Sequence, residues 1–113
     1  MQHQEIGRRG EALAADFLSH QGFVILARNL RLKSDEIDIL ARKGDTVHLI
    51  EVKTSERQST AFPAEIRLDW HKRRALARSA QQISARYPGY NIQVGAVTVY
   101  LQQPPLITYL PTI

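Results

Sequence analysis

Polar and apolar positions change their period along the chain, and those changes predict its elements. Residues 5–21 carry a helical stripe of Ile6, Leu13, Phe17 and Leu18, and Gly22 stands where a C-terminal cap is wanted. Phe23 to Asn29 reads as a strand, followed by a short basic stretch from Arg28 to Lys33. Glu36 to Arg42 alternates polar and apolar, and so does Val47 to Lys53, with Lys43-Gly44-Asp45-Thr46 between them. Gly-Asp between two alternating runs predicts a two-residue hairpin, Gly first as a type II′ turn prefers. Residues 54–68 hold the turn formers Thr54, Ser55, Ser59 and Pro63 and show no period. Asp69 is suited to cap a helix over 70–87, striped by Leu76, Ala80, Ile83 and Tyr87 and stopped by Pro88-Gly89. Tyr90 to Leu101 is a β-branched and aromatic strand whose inward parity changes after Ala96, which predicts a bulge at Gly95. Pro104-Pro105 turns the chain into a short last strand, Leu106 to Leu110. The order α-β-β-β-α-β-β predicts an α/β fold with a mixed central sheet flanked by helices. No repeat, low-complexity tract or linker divides it, so residues 1–113 form one expected domain.

The hairpin register brings chemistry together. With Gly44 and Asp45 as the loop, Asp38 faces Glu51 and Glu36 faces Lys53, all on one side of the sheet, and Ile37, Ile39, Ile50 and Val52 fall on the other. Opposed carboxylates with Cβ atoms roughly 4.5–5.5 Å apart destabilise a hairpin unless water, a basic neighbour or a cation bridges them. Hard divalent cations take oxygen ligands, often one or two carboxylates completed by water and substrate phosphate. Lys53 follows Glu51 by two residues on the same face, where an ammonium orients or deprotonates an attacking water and offsets charge building on a phosphodiester. The plainer reading is a solvated polar face with surface ion pairs worth about 0–1 kcal/mol.

Composition sharpens the partner. The 113 residues carry a formal net charge of +4 and no cysteine, which excludes a disulfide framework and any thiolate zinc site. Lys72, Arg73, Arg74, Arg78 and Arg86 crowd the second helix with no acidic residue among them. Such a face is either solvated or phosphate-binding, and Arg74 and Arg78, one turn apart, are placed for successive phosphates. No apolar run approaches the ~20 residues of a membrane span, and the first residues lack a signal-peptide stretch, so a cytoplasmic protein without membrane contact is expected. His3, His20, His48 and His71 show no metal-ligand spacing, and Trp70 suits packing under the helix start.

Asp38, then Glu51-Val52-Lys53 after a hairpin, matches the PD-(D/E)xK pattern of restriction-endonuclease-like proteins. Around it stand Gly7-x-x-Gly10-Glu11-x-x-Ala14, Gly22-Phe23, Arg28-Asn29, Glu36-Ile37-Asp38-Ile39-Leu40, Ile50 to Thr54, and Lys72. This string resembles the YraN-type family of small bacterial proteins, itself similar to archaeal Holliday-junction resolvases. The resemblance implies a restriction-endonuclease-like core and a nuclease of DNA rather than RNA, branched or structured, using Mg²⁺ or Mn²⁺. It implies Asp38, Glu51 and Glu11 as metal ligands, Lys53 as catalytic lysine and Lys72 as a substrate-side lysine. Glu36 belongs to the motif without an assigned role. Arg31 and Lys33 extend an expected phosphate-binding rim. A homodimer is left open, because resolvases that make paired cuts act as dimers. The chain departs from the family's pattern at Asp35, usually glycine; at Ser55, where an arginine is common; and near Gln93, commonly aspartate. Two other readings stay open: a non-catalytic nucleic-acid-binding protein that keeps the fold, and an interaction protein whose hairpin carboxylates are bystanders.

Overall fold

A computed structural model describes residues 2–33, 35–56 and 70–112, with backbone alone at 70 and 71. The expected order holds: α1 (His3–His20), β1 (Val24–Leu32), β2 (Asp35–Lys43), β3 (Thr46–Ser55), α2 (Trp70–Arg86), β4 (Asn91–Tyr100) and β5 (Leu106–Leu110). The strands form one sheet in sequential order, antiparallel throughout except for the parallel β3–β4 pair that α2 connects. Most of the aperiodic stretch, with the expected cap Asp69 and the Trp70 side chain, lies outside the described residues.

α1 ends as Gly22 allows. The Phe23 N–H donates to the Leu18 carbonyl and the Gly22 N–H to the Ser19 carbonyl, with Gly22 at φ 93°. That pair of bonds is a Schellman closure, and its apolar contact is Phe23 with Leu18. The hairpin turns at Gly44, φ 61°, and sets Ile39 opposite Ile50 and Lys43 opposite Thr46, the expected register.

Two cores sandwich the sheet. Ala14, Ala15 and Leu18 of α1 pack with Phe23, Ile39, Ala41, Ile50, Val97 and Val99. On the other face Ile83 of α2 packs with Leu32, Ile37, Leu40, Val47 and Leu49. Each such side chain stabilises the fold by about 1.5–3 kcal/mol through burial. Three expectations are corrected by this double coverage. β4 keeps one unbroken register with both neighbours, so there is no bulge at Gly95. Its apparent change of parity arises because Ile92 and Val94 face the α2 core, and Val97 and Val99 the α1 core. Gly95 instead admits the Leu110 carbonyl, which a Cβ would approach to 2.6 Å. β1 does not stop at Asn29; Leu30 and Leu32 pack into the α2 core, so pairing with β2 continues to Leu32 through the basic stretch. Finally, Ile37 and Ile39 do not share a face. Ile37 packs on the α2 side and Ile39 on the α1 side, the strand changing cores at Asp38.

α1 lies close on β3 because Gly10 has no side chain: a Cβ there would overlap the Thr54 side chain, whereas one on Gly7 meets nothing within 4 Å. The two glycines therefore predict opposite responses. Gly10→Ala should lower stability by about 1–3 kcal/mol, because overpacking outweighs helix propensity. Gly7→Ala should raise it by about 0.4–1 kcal/mol through the unfolded chain. Thermal melting of both variants checks the pair, and equal shifts would show that Gly10 sets no spacing.

Candidate active site

β2 and β3 pair only as far as Ile39 and Ile50. Beyond that point β2 stays with β1, and β3 stays with β4 through Glu51 opposite Ala96 to Ser55 opposite Tyr100. The strands part into a notch. Asp38 stands at its apex, where its Oδ2 accepts the Val52 backbone N–H at 2.8 Å. A side-chain oxygen thus takes the place of a ladder carbonyl, satisfies a half-buried donor and fixes the carboxylate at the opening.

Glu51 follows the last β2–β3 pair and is 7% exposed. Its parity matches Leu49, so it faces α2, and Lys72 of that helix places Nζ 3.7 Å from its Oε1. The Lys72 ammonium also acts on Asp38 and so joins the two carboxylates. Lys53, two residues on, lines a cavity of about 210 Å³ with Gly7, Glu11, Val52 and Thr54. Glu11 enters from the α1 side, accepts a hydrogen bond from the Asn29 side chain and senses the charge of Asp38. The structure therefore brings Asp38, Glu51, Lys53, Lys72 and Glu11 to one end of the sheet. Among the described residues, no three of His, Asp and Glu stand ready around one point to hold a metal.

Asn29 is the residue that sequence reasoning left without a role. It adopts φ 52° inside β1, between the Arg28–Ile39 and Leu30–Ile37 pairs, and so lies level with Asp38. Asparagine is poor in strands but tolerates the left-handed region, and that mismatch in an otherwise apolar run was the available signal.

The rim differs from a simple basic surface. Arg31 pairs with Glu36 at 3.4 Å, and Arg78 with Asp35 at 3.2 Å, both partners at the start of β2. Asp35, the departure from the family's usual glycine, is thus matched by an arginine from α2. Arg74 and Lys33 are exposed. Of the histidines, His20 bonds the Asp16 carbonyl, and His48 is buried far along β3 from Glu51.

These residues lie within the stretch that comparison recognises: a family model described as "Uncharacterised protein family UPF0102" matches residues 10–99. The chain belongs to the UPF0102 family. A UPF0102 protein of Dictyoglomus thermophilum is 40% identical over 91 residues, 80% of this chain and 76% of that protein. One of Caldicellulosiruptor saccharolyticus is 36% identical over 103 residues, 89% and 86% of the two chains. A shorter match, 52% over 60 residues, joins the chain to a UPF0102 protein of Paenarthrobacter aurescens, 53% and 50% of the two lengths. UPF0102 is the YraN-type family whose residue string the sequence resembles.

Burial raises the pKa of Asp38, against the opposing pull of the Val52 N–H and Lys72; burial and then Asp38 raise that of Glu11. A carboxyl whose folded pKa exceeds its unfolded one adds stability below the ordinary carboxylate range and loses it as pH rises through the raised value. Ionised Asp38 therefore weighs against the metal-free fold at neutral pH. Asp38→Asn in EDTA should melt a few degrees higher at pH 7, and the gap should close below about pH 4. A lower midpoint at pH 7 would refute the assignment.

Proposed function

We propose that the chain is a divalent-metal-dependent nuclease that hydrolyses phosphodiester bonds of DNA, branched or structured. The observation that carries this reading is the notch, where Asp38 and buried Glu51 meet beside Lys53. The donor set is oxygen only, which fits Mg²⁺ or Mn²⁺ and not a soft metal. Asp38 and Glu51 would hold the ion, and Glu11 would complete the set after a change of rotamer or through water. When bound, the ion supplies Lewis acidity toward a phosphate oxygen and compensates developing charge.

The chain's own groups do the rest. The Val52 N–H holds Asp38 in one orientation, so that the carboxylate needs little rearrangement as substrate arrives. Lys53 orients the attacking water, takes its proton as the free amine, and as the ammonium offsets negative charge on the phosphorus centre. Lys72, now balancing Glu51, is free to turn toward a substrate phosphate once that carboxylate has another partner. Arg74, Arg78, Arg31 and Lys33 contact flanking phosphates, and Arg31 and Arg78 exchange their Glu36 and Asp35 partners for DNA. Paired cuts on a branched substrate need two sites, so a homodimer is the expected acting form.

Incubation with branched, single-stranded and duplex DNA plus Mn²⁺ tests the activity directly. Asp38→Ala and Lys53→Ala should each lower the cutting rate by roughly 100-fold or more. Cutting that survives both substitutions would end this assignment. Salt-sensitive binding with no cutting would point to a non-catalytic nucleic-acid-binding protein of the same fold. Millimolar Mn²⁺ should also raise the melting midpoint of the native chain and leave that of Asp38→Ala unchanged.

A further inference from the structure

At the far end of α1 a second cavity, of about 280 Å³, opens between Gln21, the start of β3 and β5. Three of its lining rings, Phe23, His48 and Tyr109, stand edge-to-face, with centroids 5.0, 5.6 and 6.2 Å apart. The Tyr109 hydroxyl and His48 Nδ1 share a hydrogen bond of 2.9 Å. That leaves His48 Nε2 without a partner among the described residues. Because no side-chain nitrogen or oxygen there is both buried and unpartnered, Nε2 remains open to the cavity that His48 lines. Burial and then Lys43 lower the His48 pKa, so its imidazole is neutral and the Tyr109 bond settles which nitrogen carries hydrogen.

An apolar core has no use for this wall. Gln21, Thr46 and Gln93 add hydrogen-bonding groups, Lys43 sets its ammonium 5.2 Å from the Phe23 ring centroid, and no acidic side chain lines the space. Aromatic faces, convergent donors and acceptors, and one cation together select a planar heterocycle that bears an anion. The volume lies just below the roughly 300–1,000 Å³ of drug-sized pockets, which suits one ring and not a stacked pair.

We propose that this cavity receives a single unstacked base of single-stranded DNA, with Lys43 on the adjoining phosphate. The inference rests on DNA being the substrate. Gln21 and Glu11 lie ten residues apart on α1, about 15 Å along the helix, or roughly four phosphates of one DNA strand. One rigid element thus spans the base site and the carboxylate site. A branched or frayed substrate, which offers unpaired nucleotides near a cut position, satisfies both; a blunt duplex fills only one.

Fluorescence anisotropy in EDTA tests this without cutting, using a blunt duplex, the same duplex with a short thymidine tail, and the tail made abasic. The tailed duplex should bind about 10-fold more tightly than the blunt one, and the abasic tail should lose most of that gain. Lys43→Gln and Tyr109→Phe, which keep the exposed stem and the ring, should each shrink the tail preference roughly 3- to 10-fold while leaving melting and blunt-duplex affinity unchanged. Titration with thymidine monophosphate should shift the His48 and Tyr109 ring resonances saturably in the wild-type chain. Equal affinity for tailed and abasic duplexes, or full preference in both variants, overturns the base site even if Mn²⁺-dependent cutting is found. Tail preference without any cutting overturns the nuclease reading and leaves the base site standing.

Discussion

The site depends on one hydrogen bond that is not part of any ladder. Where β2 and β3 separate, the Val52 N–H would lose its partner, and the Asp38 carboxylate supplies one. Leaving a buried amide unpaired costs on the order of 1–3 kcal/mol, so the strands can part only where such a side chain is present. The same bond holds the aspartate at the opening, next to Glu51. Fold and site are therefore one arrangement: the residue that permits the notch also furnishes its chemistry.

Charge balance follows from that arrangement. Two carboxylates brought near each other in partial burial need compensation, and Lys72 provides it from the opposite layer. The start of β2 repeats the pattern, with Asp35 and Glu36 held by Arg78 and Arg31. The basic face of α2 is thus tied to the acidic edge of the sheet, and its excess charge is less available than a count of residues suggests. A polyanion approaching this edge must compete with carboxylates already in place.

Much of this was legible in the sequence because short-range rules decided it. Gly44-Asp45 set the hairpin, the hairpin set the register, and the register placed Asp38 and Glu51 at one level. Gly22 and Pro88-Gly89 closed the helices for local reasons. What escaped was decided by layers that sequence periodicity cannot see. Ile37 and Ile39 look equivalent at period two, yet the strand changes cores at Asp38. β4 looked bulged only because a strand covered on both faces has no outward side to reveal its parity. Asn29 had no visible purpose until β1 was paired with β2 and its side chain met Glu11 from another layer.

The close seat of α1 on Thr54 has a consequence beyond packing. Glu11 is the residue after Gly10, so the missing methyl group that lets the helix settle also fixes how far a neighbouring carboxylate reaches. Helix-to-sheet spacing here works as a gauge block. A chain with a bulkier residue at that contact could retain its topology, its buried core and every acidic side chain, yet hold Glu11 out of range of Asp38. An inventory of acidic residues would then look complete in a chain whose third carboxylate no longer arrives, and a two-letter comparison at positions 10 and 54 would reveal the difference first.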